Sequence, residues 1–318
     1  MNASTRLTTS TAVSVKGLRK TYGKNVVLDG VDLTIAEGEV FALLGPNGAG
    51  KTTIVRILST LIPAGGGQAT VMGHDVHGDA AAVRAVIGVT GQLSAIDNLL
   101  TGEENMVLIG RLLHLPAGER RSRTARLLER FELTGAAKRP AATYSGGMKR
   151  RLDLAMTLMG RPRVIFLDEP TTGLDPRSRH TVWQIIRELV AEGVTILLTT
   201  QYLEEADQLA DRIALLDHGH IVAEGTPDEL KRRIPGAHIR LQLADAASLD
   251  AAATALGGTR DDSELVLRVP NEDGIRSLRD VLGRLSDEVA VEDLTIHTPD
   301  LDDVFFALTG KPAQEVTQ

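Results

Sequence analysis

Val40-Phe41-Ala42-Leu43-Leu44-Gly45-Pro46-Asn47-Gly48-Ala49-Gly50-Lys51-Thr52-Thr53 is the stretch on which the fold turns. Its first five residues are continuously apolar, as in a strand buried on both faces of a sheet. From Lys51 to Leu61 the pattern changes to that of a helix. Between them, Gly45 to Thr52 fits G-x-x-x-x-G-K-[ST]. Such glycines let backbone N–H groups turn inward around phosphate oxygens, and the following helix offers its positive end. Lys51 adds a mobile charge for the terminal phosphates, and the Thr52 hydroxyl is placed to bind Mg²⁺.

A second buried strand, Val164-Ile165-Phe166-Leu167, ends in Asp168-Glu169. Asp168 thus emerges at a carboxyl strand end, where it can hold Mg²⁺, and Glu169 is the natural general base for an attacking water. Thr195 to Leu198 is a third apolar strand. From Val13 to about Gly225 short strands alternate with amphipathic helices, as in parallel α/β folds. Between about Leu93 and Met159 strand signals vanish. Glu119 to Phe131 interleaves charges with Leu127, Leu128 and Phe131 at helical spacing, so this segment reads as a helical insertion. Ser145-Gly146-Gly147-Met148-Lys149 lies at its end.

After Pro227, a short helix over Asp228 to Arg233 and a Pro235-Gly236 linker lead into a second unit. There Ile239 to Leu243 and Leu265 to Val269 alternate like strands, and Leu249 to Leu256 and Ile275 to Leu285 read as helices. A last helix starts near Thr298-Pro299-Asp300, with Leu301, Val304, Phe305 and Leu308 on one face. The acidic run Glu288 to Asp303 reads as a solvated face. His74, His77, His218 and His220 read as surface loop residues.

The 318 residues suffice for one large and one small domain. The chain has no cysteine, which excludes disulfides, thiolate metal sites and cysteine nucleophiles. A net charge of −7 argues against broad nucleic-acid binding. Met1 to Ser14 lacks the apolar core of a signal peptide, and no apolar run approaches the ~20 residues needed to span a bilayer. Action at a membrane therefore requires a partner.

Together these motifs resemble the ATP-binding cassette (ABC) ATPases, in the expected order from Tyr22 to Gln201. The resemblance implies an α/β P-loop core over residues 1–230, a helical subdomain at about 93–160, and a small C-terminal α/β domain over 237–318. It makes Gly45, Pro46, Asn47, Gly48, Ala49, Gly50, Lys51, Thr52 and Thr53 the ATP-binding loop, with Tyr22 stacking on adenine. Gln92 would sense Mg²⁺ alongside Thr52 and Asp168 and join core to helical subdomain. Ser145, Gly146, Gly147 and Met148 match the signature that covers the ATP held by a second subunit, and Asp175 matches the segment that communicates across the dimer. The family generally has a histidine where this chain has Gln201, which can donate a hydrogen bond but cannot become cationic. Either Gln201 is a neutral clamp in a working ATPase or this copy is slow; Lys51, Glu169 and the intact signature favour the first.

Val89 to Asp97, Thr199-Thr200-Gln201-Tyr202 and Leu301 to Gly310 look like the daunorubicin/doxorubicin-resistance exporter type. That resemblance covers essentially the whole chain. It implies a homodimer driving a separate ABC-2 integral membrane permease, bound peripherally at the cytoplasmic face, with ATP and Mg²⁺ as cofactors and a drug, natural product or lipid as cargo. An importer ATPase with a regulatory C-terminal domain is one competing reading. The other is a soluble ABC protein acting on ribosomes or DNA, which usually has two cassettes or a long coiled coil; this chain has one cassette and no sustained heptads.

Overall fold

A computed structural model of the chain describes residues 10–91, 95–233, 237–271, 275–285 and 289–310. Gln92 lies outside the described residues. The chain divides into two compact units, Met1–Pro227 and Asp228–Gln318.

The first unit opens with a feature that the strand–helix alternation did not foretell. β1 (Thr11–Tyr22) and β2 (Asn25–Ala36) form a long antiparallel hairpin. β3 (Val40–Leu44) then runs, fully buried, into α1 (Lys51–Leu58). Helix α1 is shorter than expected, because the Ser59 hydroxyl donates back to the Val55 carbonyl and Thr60 turns to φ 62°. β4 (Gly66–Val71) and the short β5 (His74–Asp75) complete an antiparallel sheet of order β2-β1-β4-β5. The parallel α/β expectation therefore holds only for the other sheet.

That sheet takes β6 (Ile87–Thr90), which follows α2 (Ala80–Val86), and later strands, in the order β10-β9-β3-β8-β7-β6. β7 (Val164–Asp168), β8 (Thr195–Thr200) and β9 (Arg212–Asp217) run parallel to β3 and one another, while β10 (His220–Gly225) is an antiparallel edge. Helix α1 lies between the two sheets: Ile54, Ile57 and Leu58 share one core with Leu18 and Leu28 of the hairpin and Phe166 and Leu197 of the main sheet. Each such side chain contributes roughly 1.5–3 kcal/mol on burial, so the helix behind the phosphate loop is firmly seated.

Between β6 and β7 come α3 (Gly102–Leu112), α4 (Ala117–Arg130) and α5 (Gly146–Thr157), with no named strand among the described residues there. A capping box between Thr101 and Glu104 starts α3. Fully buried Asn105 binds the Asp97 and Thr101 carbonyls through its amide nitrogen, tying down the preceding loop. α6 (Pro176–Ala191) packs on β8, and α7 (Leu203–Leu209) follows β8 directly.

The second unit contains α8 (Pro227–Arg232), β11 (His238–Leu243), α9 (Ala246–Leu256), β12 (Thr259–Asp261), β13 (Val266–Pro270), α10 (Ile275–Arg284), β14 (Val291–His297) and α11 (Leu301–Thr309). From β11 to β14 the order β12-β13-β11-β14, wholly antiparallel, is that of a split β-α-β fold. Ile239, Leu241 and Leu243 bury one face of β11 beneath α9, as the period-2 alternation requires. The acidic run contains β14, mostly exposed, which the sequence pattern did not reveal. In α11, Leu301, Val304 and Phe305 are buried, whereas Leu308 is 41% exposed.

Candidate active site

Three parallel strands end side by side. Leu44 is in register with Thr200, and Thr199 with Asp168, so the phosphate loop, the acidic pair and Gln201 all leave the same carboxyl edge. That edge is where open α/β sheets hold ligands.

The loop is shaped by its glycines. Gly48 has φ 85° and Gly50 φ 114°, and Gly50 caps α1. A Cβ on Gly45 would overlap the Leu216 carbonyl oxygen of β9. Pro46 and Asn47 lie on the outer side of the turn, and Ala49 is buried; Thr53 is half-buried in the first turn of α1. The Lys51 ammonium donates to the carbonyls of Gly45 (2.7 Å) and Pro46 (3.1 Å) and lies 3.9 Å from the Glu169 carboxylate. Burial pushes the Lys51 ammonium below its ordinary pKa, with Glu169 and Asp168 pulling the other way.

Thr52 Oγ1 donates to Asp168 Oδ1 at 3.2 Å, and the Thr199 hydroxyl reaches the same oxygen at 2.5 Å. Asp168 is buried, 3% exposed. Glu169 adopts φ 51°, a left-handed conformation that non-glycine residues keep only when their surroundings enforce it. Its N–H is held by the Thr199 carbonyl at 3.1 Å, and its Oε2 accepts from the Thr172 hydroxyl at 3.3 Å. Thr199 therefore orients both acids, a role that its place in an apolar strand did not announce.

Ser145 caps α5 by accepting the Met148 N–H at 3.3 Å; Ser145 and Gly146 are exposed. A Cβ on Gly147 would come within 3.0 Å of Ser178 Cβ. Ser178 is in turn the residue whose N–H (3.0 Å) and hydroxyl (2.6 Å) bind the Asp175 carboxylate. The Ser178 hydroxyl and N–H hold that carboxylate below its usual range. Within one subunit, then, the Ser-Gly-Gly segment rests against the cap of α6. A cleft of about 410 Å³ lies between the first turns of α5 and the loop after β7, lined by Gly91, Gly146, Lys149, Glu169, Thr172 and Leu174 among others. Tyr22 ends β1 with 47% of its surface exposed and Lys20 Nζ 5.2 Å from its ring centre. Gln201 is half-buried at the end of β8.

Inside α5 lies a pair that the sequence reading passed over. Arg150 reaches the Gly91 carbonyl and Asp153 Oδ2, both at 3.4 Å. Burial pushes the Asp153 carboxyl up to about 6, against the pull of Arg150 and the Ala95 N–H. Because the folded state holds this proton more tightly, its contribution to stability is present at low pH and lost as pH rises from about 4 to 6. The shift corresponds to a few kcal/mol, on the order of 3. Asp153→Asn removes it, so the melting temperature of the variant relative to wild type is expected to rise across pH 4–6. A pH-independent difference in thermal melts would contradict this.

Phosphate loop, acid pair at a strand end and hydroxyl-buttressed carboxylates define a P-loop ATPase. The family model described as "ABC transporter" matches residues 28–172. "Daunorubicin resistance ATP-binding protein DrrA2" of Streptomyces coeruleorubidus is 50% identical over 306 residues, spanning 94% of this chain and 95% of that protein. "Nod factor export ATP-binding protein I" of Sinorhizobium fredii (strain NBRC 101917 / NGR234) is 36% identical over 327 residues, covering 99% and 90%. A solved dimeric ATP-binding cassette in a post-hydrolysis state with ADP and Pi superposes with a TM-score of 0.61 at 29% identity, covering 67% of this chain and 98% of that one. The chain belongs to the ABC transporter ATP-binding proteins of the daunorubicin-resistance type, and its activity is ATP hydrolysis.

Proposed function

We propose that this chain is the ATPase subunit of an exporter, working as a homodimer peripherally at the cytoplasmic face of a membrane and driving a separate ABC-2 permease. The observation that carries the reading is the placement of the Ser145–Met148 segment. Its first two residues, Ser145 and Gly146, are exposed at a helix N-terminus while Gly147 packs against the cap of α6, and so they are available to cover a nucleotide held by another subunit. Among the described residues no helix is long and apolar enough to cross a membrane. The relatives' names, daunorubicin resistance and Nod factor export, support export of a drug, natural product or lipid.

In this reading residues 1–230 form the nucleotide-binding domain, with a helical subdomain at about 93–160, and 237–318 an accessory domain. The Gly45–Thr53 loop cradles the triphosphate, Tyr22 meets the adenine, and Lys51 exchanges its carbonyl and Glu169 partners for phosphate oxygens. Thr52 and Asp168, two hard oxygen donors 3.2 Å apart, suit Mg²⁺, which typically takes one or two protein oxygens and completes its shell with phosphate and water. Gln92 would join them. Bound Mg²⁺ would supply charge neutralisation on the phosphates. Glu169 takes the proton of the attacking water, Gln201 donates a hydrogen bond to the γ-phosphate, and Asp175 orders α6 at the dimer seam. ATP binding then favours the closed dimer as a population shift, and hydrolysis releases it.

Steady-state hydrolysis by the purified chain against protein concentration tests this. Turnover per subunit is expected to rise with concentration and to vanish on chelation of Mg²⁺. Concentration-independent turnover by a monomer would defeat the shared-site reading.

A further inference from the structure

Glu205 has no part in the roles above, yet it is fully buried. Its Oε1 accepts the Thr171 hydroxyl at 2.8 Å and the Trp183 indole N–H at 3.2 Å. The three residues come from different segments. Glu205 sits on α7, which begins just after Gln201-Tyr202; Thr171 is two residues beyond Glu169; Trp183 is on α6, capped by Asp175. Burial pushes the Glu205 carboxyl up, with hydrogen bonds and the Arg150 charge pulling it down. Packing alone would be met more cheaply by an apolar residue of similar volume, since a buried carboxylate carries a large desolvation cost.

What the carboxylate does hold is the loop after β7. That loop starts from the left-handed Glu169 and closes on itself through Thr172 N–H to the Glu169 carbonyl (3.4 Å) and Leu174 N–H to the Thr171 carbonyl (3.1 Å). The Thr171 hydroxyl is its anchor to α7. We propose that Glu205 is a positioning residue for hydrolysis: by accepting the Thr171 hydroxyl it fixes the loop that carries Glu169 against the helix that follows Gln201. The proposal rests on Glu169 as general base and Gln201 as γ-phosphate donor.

The test compares full-length Thr171→Val, Glu205→Gln, Glu205→Ala and Glu169→Gln for kcat, KM, fluorescent-nucleotide affinity and melting temperature. Thr171→Val keeps the shape of the side chain and removes its donor. Its kcat is expected to fall about ten- to a hundredfold, the scale of a misplaced reacting group, with nucleotide affinity within about threefold of wild type. Glu205→Gln retains an oxygen that accepts both hydrogen bonds and should restore most of the turnover lost in Glu205→Ala. The Thr171→Val/Glu205→Ala double variant should fall no further than the worse single change, because both break one link. A folded Thr171→Val protein with wild-type kcat overturns the proposal, as does a rise in KM with kcat unchanged. Wild-type turnover in Glu169→Gln would remove the base assignment and the proposal with it. A normal Thr171→Val beside an inactive Glu169→Gln would defeat positioning alone.

Discussion

Glu169→Gln is expected to lower kcat by about 10²- to 10⁴-fold, the contribution typical of a positioned general base, while nucleotide still binds. The substitution is nearly isosteric. The amide can keep the Thr172 hydroxyl as a partner, and the N–H held by Thr199 belongs to the backbone, so the left-handed turn should persist. What changes is charge. In the native chain the carboxylate lies 3.9 Å from the Lys51 ammonium, with both side chains almost wholly buried. Removing it frees Lys51 from a competing anion and removes a negative group from the neighbourhood of a polyanionic ligand. Nucleotide affinity should therefore be unchanged or tighter. A single-turnover assay with labelled ATP, beside a binding titration, separates the two effects. Wild-type single-turnover rates in a folded variant would show that another group accepts the proton.

The parts of this site that could be read from the chain are those written as local patterns. Gly45–Thr52 follows an apolar strand, Asp168-Glu169 ends another, and Ser145-Gly146-Gly147 precedes helical spacing; each pattern sits within a few residues. The hairpin of β1 and β2 was hidden because register shifts around Gly17 and Leu18 interrupt the alternation of β1, which leaves the clean period of two from Val31 to Ile35 in β2 without a legible partner. Thr199 was hidden because a threonine in an apolar strand reads as a neutral filler; only the register with Asp168 shows its hydroxyl facing that carboxylate. Glu205, Thr171 and Trp183 span 34 residues and meet through tertiary packing, which no periodicity encodes. The positive φ of Glu169 is likewise set by its surroundings, not by its identity. Chemistry carried by consecutive residues is legible in one dimension, whereas chemistry carried by second partners needs the fold.

Gly50→Ala is expected to weaken nucleotide binding by about a hundredfold or more and to lower the melting temperature. Two costs coincide at this position. Its φ of 114° lies where an L side chain is strained by roughly 1–3 kcal/mol. The new Cβ would also stand 2.6 Å from Leu28 Cδ2 and 3.1 Å from the Val27 carbonyl oxygen. Leu28 is fully buried in the core that seats α1, so it has no free rotamer to retreat into without opening that core. The strain is relieved instead by rotating the backbone of Gly50, which turns the N–H of Lys51 and the start of α1 away from the loop. Because the loop binds through converging backbone donors, loss of about 3 kcal/mol there corresponds to two decades of affinity. Gly48→Ala supplies the contrast: its φ is 85°, but its Cβ would meet nothing within 4 Å. It should show the strain without the collision, and so a smaller loss in both titration and melt. Equal losses in the two variants would mean that the collision with Leu28 contributes nothing, and wild-type affinity in Gly50→Ala would mean that the loop's conformation is not what holds the nucleotide.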